Sequence, residues 1–335
     1  MNTGNNVKIT TIKSPVFVGV DVMKFICALL VVYLHTYNHD LGAVGEWIHI
    51  NLSPIGVPFF FIVSGFLYMS KLQESGDNKK DYFLHYLKRV VYMYIFWSVI
   101  TLPVAWMNIE IAHGDYSFFM KLIYIVRCFF LTGSIGIYWY ILALVYNSVM
   151  LFYALKWHKM NMLYVLSCLF FIIGILYDGG MIRETFLGEF IHVVIGSERN
   201  FLNVGLFYMC VGVFMAKNKL SLPQYIIYPL LLLCLVVSSY MNLNSSYRIM
   251  QAPLSIVLFM LAMSGSFGKF VRVSLKMRQW STALYLGHFP FILVFDYYLR
   301  RGSIIDVPVA ILFSLVLFYV IYKILPRRYV KTIYG

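Results

Sequence analysis

Charge is what this chain has least of. Only 12% of its 335 residues are Asp, Glu, Lys or Arg, about half the share in an average soluble domain. Acidic residues are the scarcer sign, 14 against 27 basic ones. A chain this long with so little charge cannot coat a water-facing surface, which excludes an ordinary soluble enzyme. Cysteine is also sparse. Cys27, Cys128, Cys168, Cys210 and Cys234 are odd in number, lie in apolar runs and form no CxxC pair. A disulfide framework or zinc site therefore has no support, and the five read as small apolar packers. No two His or Cys fall at ligand spacing, so no metal is expected. There is no GxxxxGK[ST] loop and no GxGxxG after a strand, which leaves an ATP-driven transporter or nucleotide-cofactor enzyme without its phosphate cradle. Internal repeats, low-complexity tracts and polar linkers are missing too.

What the chain has is apolar length. It is 61% hydrophobic, with a mean hydropathy of +0.77, as expected of an all-α polytopic membrane protein. Runs long enough to cross a bilayer fall at 16–38, 53–71, 88–110, 137–157, 161–178, 200–217, 224–241, 250–267, 280–299 and 304–325, about ten transmembrane helices. The shorter run 118–131 holds Lys121 and Arg127 and reads as an interfacial or re-entrant helix, or as an eleventh span. With ten spans and a cytoplasmic N-terminus, every inner loop carries basic residues, among them Lys79, Lys80, Lys88, Arg89, Lys156, Lys159, Lys217 and Lys219. That bias places both termini in the cytoplasm. Eleven spans would put the basic stretch 269–278 outside. The same bias accounts for the net charge of +13, so no nucleic-acid partner is expected. Residues 1–15 read as a cytoplasmic tail, 16–325 as one membrane domain and 326–335 as a second cytoplasmic tail. The first apolar run is too long and too charged for a cleaved signal peptide.

The rest of the chain is read around that first run. Val16–Tyr37 carries Asp21, Lys24 and His35, and ionisable groups inside a span mark function by default. At 100° per residue Lys24 and His35 differ by about 20° in azimuth, and Asp21 by about 40° to the other side, so all three share one stripe. Lys24 and His35 are roughly 16 Å apart along the axis. The stripe thus places an Asp21–Lys24 ion pair near one surface and an imidazole near the other. The plainer readings are a helix-end pair, a snorkelling lysine and an interfacial histidine beside Tyr33 and Tyr37.

Other candidates lie farther along. Ser64-Gly65 either kinks the second span so that its backbone meets a ligand, or is helix packing by small residues. Tyr138 and Trp139, with Tyr140, form a sugar-binding shelf or an interfacial belt. His288 is followed by Pro290, which should kink its helix. It binds an acceptor or bonds a carbonyl. Asp296 lies about 12 Å on, facing a sugar hydroxyl or the interface.

Four pieces occur in order: Asp21-x-x-Lys24 with His35 ending the run, Val57-Pro58-Phe59-Phe60-Phe61-Ile62-Val63-Ser64-Gly65-Phe66-Leu67, the basic entry Tyr86-Leu87-Lys88-Arg89-Val90-Val91-Tyr92, and Ser281-Thr282-Ala283-Leu284-Tyr285-Leu286-Gly287-His288. Together they resemble the acyltransferase 3 family of bacterial membrane acyltransferases, which includes O-acetyltransferases of O-antigen, exopolysaccharide, peptidoglycan and enterobacterial common antigen. The resemblance implies ten spans in the bacterial cytoplasmic membrane and transfer of an acyl group from cytoplasmic acyl-CoA to a glycan hydroxyl. It makes His35 the counterpart of the family's essential histidine, assisted by Asp21 and Lys24. Lys88 and Arg89 fall where members meet CoA phosphates. Two positions depart from the family pattern: Tyr92 stands where a second basic residue is usual, and Ile137 where many members have histidine.

Acyl transfer to a hydroxyl needs a base and donors for the oxyanion. His35 can supply the base. Whether it acts so, or as a transient acyl carrier, is left open; the base reading predicts a ternary complex. Lys24, Lys88, Arg89 and Ser64 are the expected acyl-CoA contacts, and Tyr138, Trp139, His288 and Asp296 the expected acceptor contacts. The resemblance implies acetyl-CoA or another acyl-CoA as cosubstrate, with no tightly bound cofactor expected. The expected partners are acyl-CoA, a cell-surface glycan or lipid-linked sugar, and the bilayer, and a homodimer is open. The alternative function is a transporter or translocase of a glycan or small polar solute, which an inverted repeat with broken spans would favour.

Overall fold

The computed structural model describes residues 17–36, 41–191, 200–244, 248–265, 267, 270–299 and 306–334. The expected tail 1–15 lies outside them. The described residues contain helices and no strand. In order these are α1 (Val18–Thr36), α2 (Gly42–Asn51), α3 (Gly56–Glu74), α4 (Lys79–Ile100), α5 (Leu102–Ala112), α6 (Phe118–Arg127), α7 (Trp139–Lys156), α8 (Met160–Asp178), α9 (Phe186–Phe190), α10 (Phe207–Asn218), α11 (Gln224–Asn244), α12 (Gln251–Ser264), α13 (Val271–Leu299), α14 (Asp306–Ile324) and α15 (Arg327–Tyr334). Wide π turns occupy Cys128–Thr132 and Phe201–Leu206.

Each of the ten expected apolar runs carries a helix. Seven helical stretches are long and apolar enough to cross a membrane, or eight if α4 and α5, bent by 61° at their junction, count as one span. The chain is a multi-pass membrane protein. α12 has 14 residues, short for a crossing on its own. The bend between α4 and α5 follows from Pro103 in the first turn of α5, which α4 cannot carry through.

Two packings set the architecture. α3 and α10 cross through glycine: a Cβ on Gly65 would strike the Met209 backbone, and one on Gly212 the Ile62 backbone. Ser64-Gly65 is thus where two helices close up through a small residue. Pro58 sits in the first turn of α3 and breaks nothing. α1 lies along α13, which holds Pro290 inside one helix of 29 residues. Proline has no N–H to offer the carbonyl four residues back, Leu286. That carbonyl accepts instead from the Tyr138 hydroxyl at 3.2 Å.

Three sequence expectations change. α13 starts at Val271 rather than 280, so Arg278 belongs to a helix and not a loop. Residues 118–131 form a ten-residue helix and a wide turn, with Lys121 paired to Glu110 of α5 at 2.7 Å; α6 is too short to be an eleventh span. Most of the stretch 326–335, expected as a tail, is the docked helix α15. Its sequence is amphipathic, burying Val330, Ile333 and Tyr334 and leaving Arg327 and Arg328 exposed.

Candidate functional site

The stripe on α1 meets two cavities, one at each end. At the Lys24 end a cavity of about 360 Å³ is bordered by Asp21, Lys24, Ser64, Arg89, Tyr140 and Arg278, among others. Asp21 is 4% exposed, and a carboxylate so buried needs a partner. Its partner is Arg278 of α13, in a two-pronged pair of 2.9 and 2.8 Å. The ion pair expected between Asp21 and Lys24 is thus made across helices, because α13 runs long enough to bring a guanidinium alongside; a planar fork suits a carboxylate better than an ammonium does. Lys24 and Arg89 border the cavity as further cations. Arg89 also donates from Nε to the Thr332 carbonyl of α15 at 3.3 Å, so α15 walls this cavity with Ile333 and Tyr334. Ser64 Oγ and Tyr140 Oη lie 3.0 Å apart.

The cavity at the His35 end, about 410 Å³, is bordered by His35, Arg127, Trp139, Asp178, Asn203 and Gln251, among others. Both wide turns reach it, through Cys128 and Thr132 and through Asn203 and Val204; such turns recur at functional sites. Gly133, which ends the first of them, has φ +88°, and a side chain there would meet the backbone of Trp139. The His35 ring lies 5.5 Å from that of His288 and 5.0 Å from that of Phe289, between centroids. His288 is fully buried. Its Nδ1 is 2.7 Å from the Leu284 carbonyl, so Nδ1 carries the proton that is donated there. Its Nε2 is buried with no hydrogen-bond partner, an acceptor held beside His35.

The structure brings together Lys24, Asp21, Arg89 and Ser64 in one cavity and His35 and Trp139 in the other, with His288 against His35. It leaves four expected residues outside both linings, one of them His288, which is packed against His35 instead. Lys88 is exposed and lines neither cavity; helical geometry turns it about 100° from Arg89. Tyr138 is fully buried and its hydroxyl donates to the Leu286 carbonyl. Asp296 is half-buried on α13, beyond both linings. Sequence reasoning did not assign Arg278, Tyr285, Asn203 or Gln251, and it grouped Tyr140 with the sugar shelf, whereas Tyr140 borders the Lys24 cavity. Only Arg278 carried a usable signal, since a buried aspartate demands a cation. Tyr285 borders both cavities and is the one described residue that does. No cluster of three His, Cys, Asp or Glu that could hold a metal exists among the described residues.

Comparison with known proteins adds identity at the level of family. The chain is 25% identical over 237 residues to a serine/alanine racemase of Enterococcus gallinarum, covering 67% of this chain and 33% of that protein. It is 22% identical over 205 residues to an amino-acid racemase of Enterococcus faecalis, covering 58% of this chain and 28% of that protein. The matches thus span about a third of those relatives' length. No solved structure matches the chain. The model of an acyltransferase domain, that of the acyltransferase 3 family, matches residues 17–323, and the chain belongs to that family.

Proposed function

We propose that this protein is a membrane O-acyltransferase that moves an acyl group, acetyl foremost, from cytoplasmic acyl-CoA to a hydroxyl of a cell-surface glycan or its lipid-linked precursor. The observation that supports it is the pair of cavities on one helix stripe. One offers the cations Lys24, Arg89 and Arg278, the other borders an imidazole, and they share Tyr285. Phosphate groups suit the first, and a neutral hydroxyl beside a base suits the second.

In this reading the donor's phosphates lie at the Lys24 end and its pantetheine arm runs toward Tyr285. The arm is comparable in length with the roughly 16 Å between Lys24 and His35. His35 takes the proton of the acceptor hydroxyl as its oxygen forms the new bond to the acyl carbon. The carbon–sulfur bond breaks, and coenzyme A leaves as thiolate and recovers the proton. The Ser64 hydroxyl, bonded to Tyr140 Oη at 3.0 Å, can turn its O–H from that oxygen to the carbonyl oxygen of the donor. Arg278 holds Asp21, which leaves Lys24 to the donor. The donor end then faces the cytoplasm, with both termini, and the membrane is the bacterial cytoplasmic membrane.

The test is binding of acetyl-CoA to the purified full chain in detergent, beside Lys24→Ala and Arg89→Ala. Binding that weakens about tenfold or more in each variant, as loss of a charge-assisted contact does, supports the donor site. No binding by folded protein overturns it and favours translocation of a polar solute through the two cavities.

A further inference from the structure

The donor cavity ends in three aromatic rings. Phe60 and Tyr140 border it, and Tyr285 borders both it and the His35 cavity. The rings touch one another: Phe60 to Tyr140 is 6.1 Å between centroids, Phe60 to Tyr285 5.5 Å, and Tyr140 to Tyr285 5.2 Å. They are 6%, 9% and 5% exposed, so they form a packed end to the Lys24 cavity, which meets the His35 cavity at Tyr285.

Two of the three rings are pinned at their hydroxyls. Tyr140 Oη lies 3.0 Å from Ser64 Oγ and donates to the Phe60 carbonyl at 3.4 Å. Tyr285 donates to the Ile137 carbonyl at 3.1 Å. Phe60 has no polar tip and is held by packing alone, against these two rings and Phe59. A close-packed wall does not yield to an added methylene without strain. A donor anchored by its phosphates at Lys24 and Arg89 therefore presents its thioester beneath this wall, and the acyl group must fit what space is left. The acceptor hydroxyl reaches the carbonyl past Tyr285, the one side chain common to both cavities.

We propose that Phe60, Tyr140 and Tyr285 form the end wall that restricts the donor to a short, acetyl-sized acyl group, and that Phe60 is the residue that sets the limit. This rests on the donor site proposed above and adds the determinant of acyl length. It also opposes the default trend, because apolar burial alone makes a longer acyl chain bind more tightly.

The experiment measures dissociation constants of CoA, acetyl-CoA, butyryl-CoA and octanoyl-CoA by calorimetry, using the purified full chain in detergent. The wild type is expected to bind acetyl-CoA at least about tenfold more tightly than butyryl-CoA, in line with the discrimination one misplaced methylene gives. In Phe60→Ala the butyryl-to-acetyl preference should rise about tenfold or more. Phe60→Leu, a milder truncation, should move it the same way by less. Because the readout is a ratio within one preparation, the fraction of folded protein cancels. Wild-type protein that binds butyryl-CoA or octanoyl-CoA as tightly as acetyl-CoA overturns the wall while leaving the donor site standing. So does a ratio that neither variant moves. Failure to bind any CoA species removes the donor site and the wall with it.

Discussion

Arg278 reaches Asp21 across 257 positions of sequence and takes both of its carboxylate oxygens, at 2.9 and 2.8 Å. The pair ties α1 to α13 at the Lys24 cavity. Asp21 is almost wholly buried and the Arg278 side chain is 35% exposed, so the two ends carry unequal penalties. Removing the arginine leaves a buried carboxylate unpaired, whereas removing the aspartate leaves a guanidinium that can turn toward water. Arg278→Gln is therefore expected to lower the melting temperature more than Asp21→Asn does. Their coupling in a double-mutant cycle should be about 1–3 kcal/mol, read by thermal unfolding in detergent. A coupling near zero would show that the pair does not bind the two helices.

Tyr138 is expected to behave as a structural residue. Its hydroxyl fills the place of the N–H that Pro290 cannot offer to Leu286. Tyr138→Phe leaves a buried carbonyl without a partner and should cost about 1–3 kcal/mol, with acetyl-CoA affinity unchanged. A sugar-binding role would instead show as weaker acceptor use at full stability, so comparing the melting temperature with turnover separates the two.

How far these features could be read in advance follows from the distance over which each is determined. The stripe of Asp21, Lys24 and His35 is local, fixed by helical periodicity, and all three of its members border cavities. The apolar runs are local as well, and a helix occupies each. Arg278 was hidden because charge patterning assigned it to a loop, and the start of α13 is set by packing against α1 rather than by composition. The role of Ser64-Gly65 depends on Gly212 of another helix, and that of Tyr138 on Pro290, neither of which periodicity can link. Lys88 and Arg89 look alike in sequence, and only the rotation of α4 separates them. The wall of Phe60, Tyr140 and Tyr285 joins three helices and has no local signature.

Gly65 and Gly133 test the backbone in two different ways. At Gly65 the constraint is space, since any side chain meets the Met209 backbone. Gly65→Val should prevent α3 and α10 from closing and shift the protein to aggregates in size-exclusion chromatography, as overpacking of a close crossing does. At Gly133 the constraint includes conformation, φ +88°. Gly133→Ala should cost about 1–3 kcal/mol and, because the turn borders the His35 cavity, should impair transfer more than donor binding. Folded Gly65→Val protein with wild-type stability would contradict the crossing.

Lys88 and Arg89 are adjacent and both basic, yet they are expected to differ. Both are exposed, but Arg89 lines the Lys24 cavity and donates to the Thr332 carbonyl of α15, whereas Lys88 lines neither cavity. Lys88→Ala should leave acetyl-CoA affinity within about twofold, the change expected of a screened surface charge, while Arg89→Ala weakens it about tenfold. Equal losses in the two would mean that the donor lies across the outer surface of α4 and not in the cavity.

His35 is the sharpest case, because its cavity is not the one assigned to the donor. If it acts as a base on the acceptor, His35→Ala should lower transfer by about a hundredfold to ten-thousandfold and leave acetyl-CoA binding intact. Its neighbour His288 holds one nitrogen on the Leu284 carbonyl and presents the other, unpartnered, in the interior beside His35. His288→Asn keeps an amide N–H at the Nδ1 position for the same carbonyl, so it should fold, and the loss of the atom at the Nε2 position should then appear in transfer alone. Release of free CoA thiol by membranes carrying each variant, set against acetyl-CoA binding by the purified protein, gives both quantities. A His35→Ala protein that loses donor binding along with transfer would place the imidazole on the donor, and the division of labour between the two cavities would fall.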